Sequence, residues 1–312
     1  MPARSRAPSR SETPVRVSVA VPASVANLGP GFDILGLALQ LQNEVRAETG
    51  ARDISIDPGP NAPTELSNPE HNLVTRAYAH ACAALDVAPG GVHFTCVNRI
   101  PIGRGMGSSA AAVLSGVLVA AALHHAPWDE NDVLDRAEAL EGHRDNLAAA
   151  LLGGFAISAP GAPAVQLQVA DELRAVLFIP DTPFATAESR RVVPAAFTRS
   201  DAIFNAGRCA LLVRALAIGD HASLRVAMQD RWHQEARFAH MPGSRAIVDA
   251  AVAAGAAGAA LAGAGPSVIA LTPLDPEPIT AAMTATATAE GVEGRTMVLS
   301  PRNYGTRVDV SS

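Results

Sequence analysis

Three glycines at alternate positions, running directly into two serines and an alanine-rich apolar stretch, constrain this 312-residue chain more than any other segment. The segment is PIGRGMGSSAAA, Pro101 to Ala112. Gly103, Gly105 and Gly107 allow positive φ angles and a close backbone approach that a Cβ would obstruct. Ser108 and Ser109 then open a helix whose first N–H groups have no intrahelical partner and point outward at the positive end of the dipole. A phosphate satisfies those groups. The serine hydroxyls add donors and can ligate magnesium. The same residues also have a purely structural reading, as a tight strand-to-helix turn with serine caps.

The chain contains no lysine, so all 24 of its basic residues are arginine. A Walker-type loop needs GxxxxGK[ST], protein kinases need a strand lysine, and Schiff-base enzymes need an amine. A dinucleotide fingerprint GxGxxG wants glycine at position 108, where Ser108 stands, and an acidic residue about 20 positions later. His124, His125 and Ala126 occupy that region.

The length predicts two domains, and 48% hydrophobic residues supply sizeable cores. A net charge of −6 argues against gripping nucleic acid through an overall field. Cys82, Cys96 and Cys209 are far apart and odd in number, so neither a disulfide framework nor a zinc site is indicated, and reduced cytoplasmic thiols fit best. Residues 1–14 read as a disordered tail rich in Ser, Pro and Arg. The longest apolar run, Ala110 to Leu123, is interrupted by Ser115 and Gly116 and falls short of a membrane span. No membrane association is expected.

Val15, Val17, Val19 and Val21 alternate with more polar or smaller residues as in a half-buried strand. The Gly29-Pro30-Gly31 turn follows, with short strands expected near 42–48 and 53–57. Helical spacing marks 72–85, and 91–97 reads as the strand entering the glycine loop. Helices are expected over 108–124 and 128–140, then a strand around 155–158. The Pro- and Gly-rich segment 159–163 is read as a domain joint, giving domains at 15–158 and 159–312. Strands near 164–169 and 174–179 precede helices around 201–218, 221–229 and 243–254. AGAALAGAGPSVIAL reads as two strands joined by a glycine turn, followed by a helix near 276–290 and a last strand near 295–299. The order is α+β rather than a strict βαβ alternation.

Three separated motifs resemble the signature blocks of the GHMP small-molecule kinases: PASVANLGPGFDILGLAL at 22–39, PIGRGMGSSAA at 101–111 and LAGAGPS at 261–267. The SxANLGxGFDxLG form of the first block, and EGHRDNLAAALLGG at 141–154, are similar to the homoserine kinase branch of that superfamily. The resemblance covers nearly the whole chain from about residue 15. It implies a two-domain GHMP kinase fold with a ribosomal protein S5 domain 2-like N-terminal domain, which binds ATP, and a ferredoxin-like C-terminal domain. It also implies an enzyme that uses ATP and Mg2+ to phosphorylate the side-chain hydroxyl of L-homoserine on the route to threonine, and it is compatible with a homodimer.

The resemblance assigns residues as well. Pro101, Ile102, Gly103, Arg104, Gly105, Met106, Gly107, Ser108, Ser109, Ala110 and Ala111 would hold the nucleotide phosphates, with Asn72 and Leu73 on the adenine side. Ser109 and Glu141 would ligate magnesium, with Glu138 as the alternative acid. Asn27, Asp33, His143, Arg190 and Arg237 would hold the amino-acid substrate, the two arginines clamping its carboxylate. Gly263 and Gly265 keep a close backbone approach to the substrate, whereas Ala262 and Ala264 stand where the family commonly has serine. Ser109, Glu141 and Asn146 form the catalytic set. Asn146 stands where superfamily relatives place an aspartate base, and an amide cannot take a proton. The expectation is that the proton passes to a phosphate oxygen.

Two other readings stay open. One is a GHMP kinase for another alcohol, such as mevalonate, a sugar or shikimate. The other is a regulator that binds nucleotide but has lost catalysis.

Overall fold

The computed structural model describes residues 14–60 and 62–311, so the tail expected at 1–14 lies, but for its last residue, outside the described residues. The first half runs β1 (Arg16–Asn27), β2 (Gly31–Thr49), β3 (Ser55–Asp57), α1 (Leu73–Ala84), β4 (Val92–Val97), α2 (Ser108–Leu123), α3 (Glu130–Glu141), α4 (Asp145–Leu152), β5 (Phe155–Ile157) and β6 (Val165–Leu167). The second runs β7 (Arg174–Pro180), α5 (Thr186–Arg191), α6 (Arg199–Ile218), α7 (Leu224–Ala227), α8 (Gln234–Phe238), α9 (Ser244–Ala253), β8 (Gly258–Leu261), β9 (Val268–Thr272), α10 (Glu277–Ala289), β10 (Gly294–Leu299) and β11 (Arg307–Ser311).

Local chemistry sets the boundaries that matter for the site. The Asn72 side chain accepts from the Val74 N–H and caps α1. Asp129 and Asp132 exchange side-chain and backbone bonds in a capping box that starts α3, and Gly142 in the left-handed region (φ 82°) ends it. Helix α2 is apolar all round because it is buried all round. Its Gly116 lets α1 approach so closely that a Cβ there would lie 2.2 Å from the Val74 carbonyl oxygen.

The first sheet is ordered β11-β1-β2-β4-β3, with β5 on β2 and β6 on β5, and its one parallel pair is β3 with β4. Helices α2 and α4 pack on β1 and β2, with α1 and α3 against α2. The second sheet is antiparallel and ordered β10-β7-β9-β8. Numbered within this half it reads 4-1-3-2, with helices between its first and second and its third and fourth strands, the ferredoxin-like arrangement.

Three details differ from the sequence reading. The strand near 42–48 is the far half of β2, one continuous strand whose near half pairs with β5 and whose far half pairs with β4. EGHRDN breaks α3, but the helix resumes at Asp145 as α4. The last strand is β11 rather than 295–299. It covers the edge that β1 would otherwise expose, pairing Arg16 with Ser311 through Ala20 with Arg307. With β6 it places two strands from beyond residue 158 in the first sheet. One hydrophobic core runs from β1 and α2 through Leu173, Ala175, Leu177, Ile269 and Leu271 of the second half, and a smaller one lies between the second sheet and α9 and α10. Among the described residues no helix is long and apolar enough to cross a membrane.

Candidate active site

A cavity lined by residues of both halves gathers most of the residues singled out from sequence. Its wall includes Asn27, Asp33, Asn72, Leu73, Ile102 to Ser109, Ala111, Glu141, His143, Asn146, Arg190 and Arg237. Pro101, Ala110, Gly263 and Gly265 are not on that wall. Ala110 is fully buried, and Ala264, between the two glycines, reaches the wall in their place.

The glycine loop carries three left-handed residues at alternate positions, Gly103 (φ 67°), Gly105 (φ 72°) and Gly107 (φ 74°). Their requirement is partly internal. A Cβ on Gly105 would lie 2.1 Å from the Ala262 carbonyl oxygen, and one on Gly107 would lie 2.3 Å from Ser24 Oγ, whereas at Gly103 the nearest atom is 3.5 Å away. Two of the three glycines therefore seat the loop against β1 and the LAGAGPS turn. Gly107 is the N-cap of α2 and offers no side-chain cap, so the first N–H groups of that helix are left for a ligand at the cavity wall. Arg104 is turned away from this role. Its guanidinium donates to the carbonyls of Pro180 (2.7 Å), Ile102 (3.0 Å) and Asp181, tying the loop to the end of β7.

Behind the loop, Ser109 Oγ donates to Glu141 Oε1 at 2.5 Å. Glu138 instead faces Arg144 at 3.4 Å, and it is Glu141 that lines the cavity. One hydroxyl and one carboxylate make an oxygen donor set of the kind magnesium accepts beside phosphate oxygens and water. A cluster of three or more metal-binding His, Cys, Asp or Glu is not found among the described residues, and magnesium held in that way does not need one. His143 bridges the two acids, with Nε2 3.6 Å from Glu141 and Nδ1 3.0 Å from Asp145. Burial works against its charge, but the hydrogen bond and charge of Asp145 and the charge of Glu141 outweigh it, so its pKa is raised.

Asn146 is oriented by Ser24, whose Oγ donates to Asn146 Oδ1 at 3.0 Å and leaves the amide N–H groups for other partners. Asp145 Oδ1 is already engaged by His143 and by the Asn146 N–H (2.7 Å).

Elsewhere on the cavity wall, Asn27 and Asp33 both occupy left-handed backbone (φ 69° and 61°), a conformation that costs energy outside glycine. They hold one another there. The Asp33 N–H donates to Asn27 Oδ1 (3.1 Å), while Asn27 Nδ2 donates to the Gly263 carbonyl (2.9 Å). Arg190 grips Asp33 with both guanidinium nitrogens at 3.0 and 2.6 Å. Burial opposes its charge, but the bond and charge of Asp33 prevail, so its pKa rises. Arg237 is 1% exposed. Burial, and then the Arg190 charge, push its pKa down to about 10. Two guanidinium groups thus share one wall and repel each other, and an incoming carboxylate would relieve that.

At Asn72, expected on the adenine side, both ends of the amide have protein partners, the Val74 N–H and the Leu66 carbonyl (2.8 Å). Sequence reasoning missed Ser24, Asn43 and His233. Asn43 Oδ1 accepts from the N–H groups of Arg99 and Ile100 and fixes the entry to the glycine loop. Asn43 and His233 are single polar residues inside a strand and beside a short helix, with no local pattern to mark them, whereas Ser24 opens the SxANLGxGFDxLG form and that motif could have marked it.

Comparison with known proteins identifies the family. The family model for the GHMP kinases N terminal domain matches residues 72–154, and that for the GHMP kinases C terminal matches residues 212–288. The homoserine kinase of Synechococcus sp. is 40% identical over 95% of this chain and 98% of its own length. That of Streptomyces coelicolor is 41% identical over 83% and 85% respectively. Among solved structures, homoserine kinase from Cytophaga hutchinsonii superposes with a TM-score of 0.83 at 28% identity, covering 94% of this chain and 97% of that one. A mevalonate kinase, at 16% identity and a TM-score of 0.65, shares the fold.

Proposed function

The chain belongs to the homoserine kinase family of the GHMP kinases, and from that premise we propose that it transfers the γ-phosphoryl group of ATP to the side-chain hydroxyl of L-homoserine, giving O-phospho-L-homoserine for threonine biosynthesis. The observation that carries the substrate reading is the meeting of Arg190, Arg237, Asp33 and Asn27 in the same cavity as the glycine loop, Arg190 on Asp33 and both Arg237 and Asn27 on the Gly263 carbonyl. An amino acid needs guanidinium forks for its carboxylate and a carboxylate for its ammonium, and this wall offers both. On binding, Arg190 would exchange part of its grip on Asp33 for the substrate carboxylate, leaving Asp33 to the ammonium.

The N–H groups of the glycine loop and of the first turn of α2 would hold the phosphates in line with the acceptor. Ser109 and Glu141 would hold magnesium, which when bound spreads the charge that develops on the phosphate oxygens. Asn146, with its oxygen taken by Ser24, would present N–H groups to the reacting oxygens and take no proton. Asp145 also lines the cavity, but its Oδ1 is bonded to His143 and to the Asn146 N–H, and in this reading it orients His143 while the acceptor proton passes to a phosphate oxygen. An Asp145→Asn variant should keep kcat within about a hundredfold of wild type, whereas loss of a general base would cost up to about ten-thousandfold. A loss of that larger size with unchanged substrate binding would contradict a mechanism without a side-chain base.

Three unpaired thiols, two of them buried, support a cytoplasmic location. A homodimer is the assembly expected from the family. The exposed apolar residues Ile203, Leu211 and Ile218 of α6 offer it a contact surface, and sedimentation equilibrium measures it. The activity is tested by magnesium-dependent ADP release with L-homoserine, L-threonine, L-serine and mevalonate as acceptors. The expected result is the highest kcat/KM with L-homoserine, and absence of that preference would overturn the assignment.

A further inference from the structure

His233 lies outside the cavity wall and is fully buried, yet it bonds to both sides of the substrate wall. Its Nε2 is 2.8 Å from the carbonyl oxygen of Gly29, in the turn that leads into Asp33, and its Nδ1 is 2.8 Å from Arg237 NH1. A carbonyl only accepts and a guanidinium only donates, so the ring must carry its proton on Nε2 and present a lone pair from Nδ1. A charged ring would aim an N–H at the guanidinium. Burial favours the same neutral form.

The ring has little freedom to move. The His233 N–H donates to Asp230 Oδ2 at 2.9 Å, and Asp230 Oδ1 accepts from Asn205 of α6 and from the Trp232 N–H. One face of the ring meets Phe32, centroids 5.2 Å apart, and Phe32 also lies beneath the guanidinium carbons of Arg190 (5.8 Å) and Arg237 (5.3 Å). The Gly29 turn is equally fixed, since a Cβ there would lie 2.2 Å from the Met228 carbonyl oxygen. Arg237 completes the joint through bonds from Nε to Ser189 O and from NH1 to Gly263 O, both at 3.3 Å.

We propose that His233 is a positioning residue for acceptor binding: a neutral Nε2-protonated joint that locks the Arg237 guanidinium to the Gly29 turn and so sets the spacing between the carboxylate-binding arginine and Asp33. The inference rests on the reading of Arg237 as a substrate-carboxylate ligand. It assigns His233 no contact with substrate and no part in proton transfer.

Three variants test it. His233→Leu removes both bonds, His233→Asn keeps an oxygen acceptor near the position of Nδ1, and His233→Gln keeps a donor near the position of Nε2. The expected result is a rise in KM for L-homoserine of about ten- to a hundredfold in His233→Leu, with kcat and the KM for ATP close to wild type. His233→Asn should recover most of that loss and His233→Gln little of it. Parallel rises in both KM values, or equal recovery by Asn and Gln, would overturn the proposal in favour of a general packing role. If the Leu variant does not fold, the Asn and Gln comparison decides alone. Nitrogen-15 NMR of the imidazole in wild type and Arg237→Met gives a readout independent of the acceptor. The proposal expects an Nε2-protonated neutral ring whose Nδ1 resonance moves when Arg237 is replaced. A charged ring, or an Nδ1 resonance unaffected by the replacement, would overturn it even if the acceptor proved to be another alcohol.

Discussion

Two histidines, His143 on the cavity wall and the fully buried His233 outside it, have opposite electrostatic settings, and the difference shows what each is built to hold. His143 sits between two carboxylates and its pKa is raised. His233 faces a guanidinium, and burial, helped by the Arg237 charge and opposed by Asp230 and Asp33, lowers its pKa to about 4. For His233 the folded value lies below the unfolded one, so in the window between them the unfolded chain binds more protons than the native one. The stability tied to its neutral form is therefore present above about pH 6.5 and is lost as pH falls towards 4. Urea unfolding of wild type and His233→Leu at several pH values checks this. The stability difference between them should shrink steadily from pH 7 to pH 4.5, and a constant difference would contradict the assignment.

At the scale of elements, the backbone of the glycine loop has little choice. Gly105 and Gly107 face protein atoms at 2.1 and 2.3 Å from a would-be Cβ, whereas a Cβ on Gly103 would make only ordinary contact with Pro183 at 3.5 Å. Gly103→Ala should cost only the left-handed backbone penalty, about 1–2 kcal/mol, and keep activity. Gly105→Ala must displace the Ala262 carbonyl as well. It should lower the melting temperature further and raise the KM for ATP by at least about tenfold. Thermal unfolding and steady-state kinetics of the two variants check the order. The loop and helix α2 were legible in sequence because glycine spacing and apolar continuity are local signals. Helix α4 was not, because its apolar run begins inside EGHRDN and spans barely two turns. Nor was β11, whose pairing with β1 spans almost the whole chain. The site was legible where signature motifs supplied the residues, whereas the Asn72 cap, the tethering of Arg104 and the His233 joint depend on partners 2 to 204 positions away.

At the scale of the whole molecule, the two halves do not separate cleanly. The larger core contains Val17, Val19 and Leu114 from the first half together with Leu177, Leu212 and Ile269 from the second, and β11 returns to close the first sheet. A chain joined in this way should unfold in a single calorimetric transition, with calorimetric and van't Hoff enthalpies in agreement, and two resolved transitions would contradict it. Removing residues 305–312 deletes β11, uncovers the edge of β1 and takes away Val308, which packs on the larger core; this should lower the melting temperature by about 5 °C.

The cavity, too, belongs to both halves: Asp33 and Asn27 come from the first, and Arg190 and Arg237 from the second. The central claim is that this shared wall recognises the carboxylate of an amino-acid alcohol beside a phosphate-binding loop. It is tested most directly by comparing kcat/KM for L-homoserine with that for 3-aminopropan-1-ol, which keeps the hydroxyl and ammonium and lacks the carboxylate, in wild type and Arg190→Met. A preference for L-homoserine on the order of a hundredfold or more is expected in the wild type, collapsing in the variant. Equal turnover of the two alcohols by the wild type would contradict it.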